Sequence, residues 1–295
     1  NFANKIWNAS RFSISKIPTQ YSDNNKLGEY DLWILEKLKI TTEKVNTSLE
    51  EFNFGEAQKE LYEFFWNEFC DWYIELYKSD ESNNSIKNLI YVLQTSLKLL
   101  HPFLPFMTEQ IWQILNEKLP DKLNNFNSEK IIINSSYPCN IDAQTPDSNI
   151  EYLIKLIKSI RNLRSELRIE HNHTLKISIP HKNIYSSLSN YKKALENLCN
   201  TELTTTEVEN NFPLAVDNNI FNIEIPNALN MSEEISRIES EIKDIKKRII
   251  PLSKRLNSPD FFNNAPEEVV AKEKERLKHQ ENRISQLGEI LKSIS

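Results

Sequence analysis

The sequence is poor in glycine: only Gly28, Gly55 and Gly288 occur in 295 residues, and no two of them are close together. A Gly-rich phosphate loop or a dinucleotide-binding fingerprint needs several glycines within a few residues, because backbone N–H groups must approach the phosphates closely. A nucleotide-driven catalytic site is therefore not expected within this chain.

Cysteines and long apolar runs are also scarce. Cys70, Cys139 and Cys199 are odd in number and far apart, so we predict neither a disulfide framework nor a metal site. No apolar run approaches the ~18 residues of a membrane span, and a cytoplasmic protein without a membrane partner is predicted. The chain starts at Asn1 without an initiator Met and enters a helical pattern at once, which suggests a segment of a longer protein.

The charge is unevenly distributed along the chain. A net charge of −6 argues against general binding of nucleic acid through charge alone. Residues 229–295, however, carry 13 basic and 12 acidic residues, so this part is the relatively basic one. The negative net charge of the chain does not exclude a local basic surface there.

Hydrophobic periodicity predicts a mainly α fold in three parts. The first part is residues 1–147. About the first 120 of them read as consecutive amphipathic helices, including 57–78 and 86–100, which favours an antiparallel helical bundle. Residues 148–228 read as a small α/β connecting module, with a long helix over 150–167, a strand over 175–179, a helical stretch over 183–198 and a hairpin formed by 212–216 and 220–225.

Residues 229–295 carry an a/d seam in which apolar residues recur at alternating spacings of three and four. The seam runs from Ile235 to Leu256, is interrupted by the turn-rich segment 257–266, and resumes from Val270 to Ile294. This pattern predicts an antiparallel coiled-coil hairpin. Pro251 should kink or break its first helix.

Several segments together resemble the C-terminal region of bacterial valyl-tRNA synthetases. They are Asn-Lys-Ile-Trp-Asn-Ala-Ser-Arg-Phe at 4–12, Asp-Leu-Trp-Ile-Leu at 31–35, Phe-Phe-Trp-Asn-Glu-Phe-Cys-Asp-Trp-Tyr at 64–73, His-Pro-Phe-Leu-Pro-Phe at 101–106 and Ala-Pro-Glu-Glu-Val-Val at 265–270. The bundle segments are also similar to the isoleucyl, leucyl and methionyl enzymes, whereas the terminal hairpin favours the valyl family.

The resemblance implies an anticodon-binding bundle and a coiled-coil arm that lies against the body of a valine-specific tRNA. The two ATP-site signatures of the family, His-x-Gly-His and Lys-Met-Ser-Lys-Ser, do not occur in the sequence. The chain is therefore expected to bind tRNA as a monomer without aminoacylating it and to need no cofactor itself. ATP and magnesium are expected in a separate catalytic domain.

Four residues are candidates for anticodon recognition: Trp7, Asn8, Arg11 and Trp33. Trp7 and Arg11 lie four residues apart on one helix face, and an aromatic plane beside a guanidinium suits unstacked bases. The alternative is structural, with Arg11 paired to a bundle carboxylate and Trp7 in the core. For Trp33, the resemblance implies a place near the anticodon loop, whereas the helix spacing also allows a core position.

Contacts with the tRNA body are predicted in two places. Arg161, Arg164 and Arg168 form a basic helix face that could contact phosphates. The alternative is a face that meets only solvent. In the arm, two basic groups should meet near the tip of the hairpin. They are Lys247, Arg248, Lys254 and Arg255 on the first helix and Lys272, Lys274 and Arg276 on the second.

Two other functions remain open at this point. The chain could be the same region of an isoleucyl- or leucyl-tRNA synthetase. It could also be a helical scaffold whose coiled coil binds protein partners.

Overall fold

A computed structural model of the chain describes residues 1–19, 27–81, 85–120, 129–144, 149–179, 182–208, 211–217, 219–226, 231–256, 258 and 267–294. It divides into two compact units, one of Asn1–Lys155 with Lys193–Leu198 and one of Leu156–Lys192 with Cys199–Ser295. Helices dominate, so the predicted mainly α fold is confirmed. In the described ranges, no helix is long and apolar enough to cross a membrane. The three-part division at 147 and 228 stays a prediction.

The first unit is a helical bundle. It contains α1 (Phe2–Ser15), α2 (Glu29–Glu50), α3 (Phe54–Glu63), a π-helical segment (Phe64–Tyr73), α4 (Ile74–Ser79), α5 (Ile86–Leu100) and α6 (Pro105–Lys118). The helix predicted over 57–78 is thus α3, the π-helical segment and α4 in one continuous run. The helix predicted over 86–100 matches α5, whose N-terminus is capped where the Ser85 hydroxyl accepts from the Asn88 N–H at 3.3 Å. A short 3₁₀ helix follows at Ile132–Asn134.

A buried carboxylate, Asp31, joins three parts of this bundle. Its oxygens accept hydrogen bonds from the backbone N–H of Gly28 at 2.9 Å and of Ser85 at 2.8 Å. They also accept from the Tyr73 hydroxyl at 2.6 Å and from Asn88 Nδ2 at 3.2 Å. Asp31 therefore ties the starts of α2 and α5 to the end of the π-helical segment. Burial raises the pKa of Asp31, and the four donors oppose that rise.

The α/β part begins with α7 (Asn149–Glu166), which the boundary between the two units crosses. It continues with β1 (Leu175–Ser178), α8 (Lys182–Ser189), α9 (Lys192–Cys199), β2 (Thr201–Thr204), β3 (Asn211–Val216) and β4 (Asn219–Glu224). The sheet order is β2-β1-β4-β3, in which only β1 and β2 are parallel. The predicted hairpin of β3 and β4 is confirmed. Strand β2 was not predicted.

The C-terminal hairpin consists of α10 (Met231–Leu256) and α11 (Glu267–Ile294), and we call it the arm. Arg255 Nη1 lies 3.4 Å from Glu273 Oε1, and Arg283 Nη2 lies 2.9 Å from Glu241 Oε1, which fixes an antiparallel pairing. The seam residues Ile238 and Leu287 are fully buried, so the predicted coiled-coil hairpin is confirmed. Helix α10 continues through Pro251, which therefore does not end it. The predicted turn over 257–266 lies outside the described residues except for Ser258.

Candidate nucleic-acid interface

Helix α1 presents the first group of candidate residues on its exposed side. Asn8 and Arg11 are exposed, and Trp7 retains 37% of its accessible surface. The opposite side of the helix packs into the bundle through Ile6 and Ala9, because apolar residues three or four apart share one face. The alternative in which Trp7 belongs to the core is therefore not what the structure shows.

Trp7 and Arg11 line a cleft of about 430 Å³ between α1 and α6. Helix α1 contributes Ser10 as well, and α6 contributes Ile111, Ile114 and Lys118. Apolar side chains beside an aromatic ring suit the flat face of a base, and a cation near them suits the phosphate or the polar edge of the same nucleotide. We call this cavity the α1–α6 cleft.

Arg11 and Lys118 are the two cations that line the cleft. Within the part of the chain that the structure describes, neither Arg11 nor Lys118 has an ion-pair partner. The alternative in which Arg11 neutralises a bundle carboxylate thus finds no support among these residues. Lys118 was not predicted, because it ends α6 about a hundred residues after Arg11 and no sequence spacing links the two.

Trp33 does not join this cleft, and the structure contradicts an anticodon contact through its ring. It is only 1% exposed, and its indole N–H donates to Glu151 Oε1 at 2.9 Å. The same Glu151 oxygen lies 2.6 Å from Lys37 Nζ, one turn further along α2. A ring enclosed in this way has no face left for a base, so Trp33 is a core residue that holds the beginning of α7.

Arg164 is a second correction, because it is 6% exposed and spends its donors inside the protein. Nε donates to the Cys199 carbonyl at 3.1 Å, and Nη1 donates to that of Glu170 at 3.0 Å. Nη2 donates to the carbonyls of His173 at 2.8 Å and Asn200 at 2.9 Å. A guanidinium held by four carbonyls cannot also reach a phosphate, so the predicted basic face loses its central residue.

The other two arginines of that face are exposed, but they differ in backbone. Arg161 lies within α7, whereas Arg168 follows the helix with φ of 51°, in the left-handed region that non-glycine residues adopt infrequently. Their spacing of seven residues therefore does not continue one helix face. A phosphate contact by Arg161 or Arg168 stays a prediction.

In the arm, the structure brings the two predicted basic groups side by side. The antiparallel pairing of Arg255 with Glu273 places the last turns of α10 against the first turns of α11, at the end of the arm that we call the tip. The predicted contact residues there are all exposed: Lys247, Arg248, Lys254, Arg255, Lys272, Lys274 and Arg276. Lys247 also pairs with Asp244 at 3.2 Å, and Arg276 with Glu273 at 3.9 Å. Pairs as exposed as these are weak and leave most of the positive charge to solvent.

At its other end, the arm is fixed by an ion cluster that the sequence did not reveal. Arg283 of α11 makes a bidentate contact with the Glu166 carboxylate at the end of α7, and it also bonds to Glu241 of α10. Arg237 adds hydrogen bonds to Glu241 at 3.2 Å and to the Glu166 carbonyl. We call this end the root, and the cluster ties three helices together there.

Two family models match the chain. The anticodon-binding domain of tRNA ligases matches residues 31–179, and the tRNA-binding arm of valyl-tRNA synthetases matches residues 230–295. Helix α1, which carries Trp7 and Arg11, precedes the first matched range.

Valine–tRNA ligases from several bacteria are similar to the chain along nearly its whole length. That of Dehalococcoides mccartyi is 35% identical over 97% of this chain and 34% of that protein. That of Lactobacillus johnsonii is 32% identical over 100% of this chain and 35% of that protein. That of Thermotoga maritima is 32% identical over 99% of this chain and 34% of that protein. The chain thus spans about a third of the length of the curated relatives it matches.

The first matched segment covers the bundle from α2 onward and the beginning of the α/β part, and the second covers the coiled-coil hairpin. The relatives also match the residues between these two segments. The chain therefore belongs to the family of tRNA-ligase anticodon-binding domains and, with an arm of the valyl type behind that domain, it is a tRNA-binding C-terminal part of a valyl-tRNA synthetase.

Proposed function

We propose that this chain reads the anticodon of a valine-specific tRNA in the α1–α6 cleft and holds the tRNA body with the tip of the arm. The observation that carries the proposal is the cleft itself, where Trp7 and Arg11 line an apolar cavity while their neighbours on α1 fix the helix in the bundle. Asn8 lies beside them on the exposed side of α1 and would take a polar edge or a phosphate.

The energetics of such a cleft suit recognition of single-stranded bases. Stacking of one base on an aromatic side chain contributes about 1–3 kcal/mol, and an arginine adds forked donors in a plane that also stacks. Because α1 is held by buried residues on its other side, Trp7 and Arg11 need little ordering when RNA arrives. The cleft therefore supplies sequence-dependent affinity.

The arm supplies a different kind of affinity. Lysine and arginine side chains at the tip would contact phosphates, which fixes the position of an RNA without reading its bases. Each phosphate contact releases counterions, so affinity from this source falls with salt. A chain of net charge −6 needs such a local concentration of positive charge to hold RNA.

Attachment of valine is proposed for the remainder of such an enzyme, in the cytoplasm, with ATP and magnesium bound there. The sequence of this chain lacks the ATP-site signatures, and none of its residues is assigned to that chemistry. Its role is to position a tRNA whose 3′ end reacts elsewhere, and a monomer suffices for that role.

A titration of the whole chain with valine tRNA and with an anticodon-substituted valine tRNA, at two salt concentrations, tests the proposal. We expect the native tRNA to bind more tightly, and Arg11→Ala to remove most of that difference. Lys59→Ala is the matched control, since it removes an exposed cation of the bundle, paired with Glu56, that does not line the cleft. Replacing Lys254, Lys272 and Lys274 by alanine should weaken both tRNAs equally and lower the salt dependence.

Equal binding of the two tRNAs by the unaltered chain would contradict anticodon reading and leave only a charged surface. Absence of any binding, together with a mass that rises with protein concentration, would instead favour a protein-binding scaffold.

A further inference from the structure

Ser10 is buried in the wall of the α1–α6 cleft. The residue is 2% exposed and lines the cleft, and its Oγ has no hydrogen-bond partner among the described residues. Serines within helices commonly bond to the carbonyl three or four residues earlier. On the same helix, Ser13 Oγ donates to the Ala9 carbonyl at 3.0 Å and Ser15 Oγ to that of Phe12 at 2.6 Å. Ser10 is the exception among the three.

An unsatisfied buried hydroxyl destabilises a protein, because it has lost its water without gaining a partner. A ligand whose polar edge reached Ser10 would supply that partner. The surroundings restrict the ligand, since the ring of Trp7 and the side chains of Ile111 and Ile114 offer flat apolar contact. A cleft of about 430 Å³ is also within the range of roughly 300–1,000 Å³ typical of small-ligand sites.

We propose that the cleft accepts one unstacked base, that the Ser10 hydroxyl hydrogen-bonds the edge of that base, and that Lys118 contacts the phosphate of the same nucleotide. Ser10 is then a specificity-determining residue, because a base whose edge lacks a matching group leaves the hydroxyl unpaired. The inference rests on the proposed function, and it adds which atom discriminates between bases.

The position of Lys118 agrees with this assignment. It lies at the end of α6, is exposed, and has no ion-pair partner in the part of the chain that the structure describes. Trp7 and Ser10 are three residues apart on α1 and both line the cleft, so they contact it from the same helix. Lys118 approaches it from the other helix. One nucleotide can therefore contact both helices.

The test uses the whole chain and RNA hairpins that carry the anticodon stem and loop, with each anticodon base in turn replaced by the other three. We expect the unaltered chain to discriminate between bases at one or more positions. Ser10→Ala should reduce discrimination about tenfold at one position and leave the ratios at the other positions unchanged. Lys118→Ala should weaken all hairpins by a similar factor without changing any ratio.

Ser13→Ala is the matched control, because Ser13 is equally buried on α1 but its hydroxyl is already bonded. It should leave every ratio unchanged. If Ser10→Ala also leaves every ratio unchanged while the unaltered chain discriminates, the role of Ser10 is refuted and the proposed function stands. If the unaltered chain binds no hairpin, both fail. Urea denaturation of each variant shows whether the fold is intact, and we expect Ser10→Ala to be at least as stable as the unaltered chain.

Discussion

Replacing Arg164 by methionine separates a structural arginine from one that contacts RNA. Methionine keeps most of the apolar stem and removes the guanidinium, whose donors bond to four backbone carbonyls. Two of the carbonyls, those of Glu170 and His173, precede β1, and the other two, those of Cys199 and Asn200, precede β2. Arg164 therefore fixes the point at which the two parallel strands begin.

The magnitude follows from these contacts. A hydrogen bond that involves a charged group contributes about 1.5–3 kcal/mol to stability, and contributions within one network are not additive. Glu170 and His173 are exposed, so water can replace the donor at their carbonyls in the variant, whereas Cys199 is buried. We expect Arg164→Met to lower the free energy of unfolding of the α/β part by about 1.5–3 kcal/mol, because the charged hydrogen bonds are lost and the buried Cys199 carbonyl is left without its donor.

The assay is urea denaturation followed by far-UV circular dichroism, together with amide hydrogen exchange of β1 and β2. Arg161→Met is the control on the same helix, and as an exposed substitution it should change stability by less than about 0.5 kcal/mol. An unchanged denaturation midpoint for Arg164→Met, with weaker tRNA binding and a salt dependence reduced by about one phosphate contact, would refute this reasoning. It would restore the phosphate contact predicted from the sequence.

Two further predictions concern the bundle and the root of the arm. Burial raises the pKa of Asp31 in the folded state, so the folded protein binds the carboxyl proton more tightly than the unfolded chain does. The contribution of Asp31 to stability is therefore present below about pH 4 and is lost as pH rises through the raised pKa. Asp31→Asn should therefore flatten the pH dependence of the denaturation midpoint above pH 4, and an unchanged slope would show that the pKa is not raised. At the root, Arg283→Met and Glu166→Gln should each cost about 1 kcal/mol or less, because their side chains are partly exposed, and each should accelerate amide exchange in the first turns of α10. In the double variant the two effects should not add, and strict additivity would mean that the contact in the structure contributes no energy.

Local patterns predicted helices well where one face is buried and the end is capped. The prediction of 86–100 succeeded because apolar residues recur at helical spacing, and the structure adds Ser85 as the cap of this helix. The coiled-coil seam is equally local, since its repeat specifies both the helices and the side on which they meet. Strand β2 has only four residues, Thr-Glu-Leu-Thr, and its polarity gives no strand signal without its partner β1.

Site residues were harder to predict, because helix spacing shows which side chains share a face but not what that face meets. The spacing of Arg161, Arg164 and Arg168 is the same whether the face meets solvent or carbonyls some 35 residues away in the chain. The position of Trp33 was ambiguous for the same reason, because the hydrogen bond that holds its indole in the core goes to Glu151, 118 residues away in the chain. Ser10 and Lys118 emerged only when α1 and α6 were seen side by side.

The composition of the first unit has a consequence for synthesis on the ribosome. Lys193–Leu198 belongs to the bundle unit, although the rest of that unit ends at Lys155. Lys193 Nζ lies 2.7 Å from Asp80 Oδ1, and Asn197 Nδ2 donates to the Ser79 carbonyl at 3.2 Å, so this short segment covers the end of α4. At about 5–20 residues per second, translation adds the roughly forty residues between these points in about 2–8 seconds. A nascent bundle therefore waits for that interval with the end of α4 uncovered, and a ribosome stalled in the α/β part would hold it in that incomplete state.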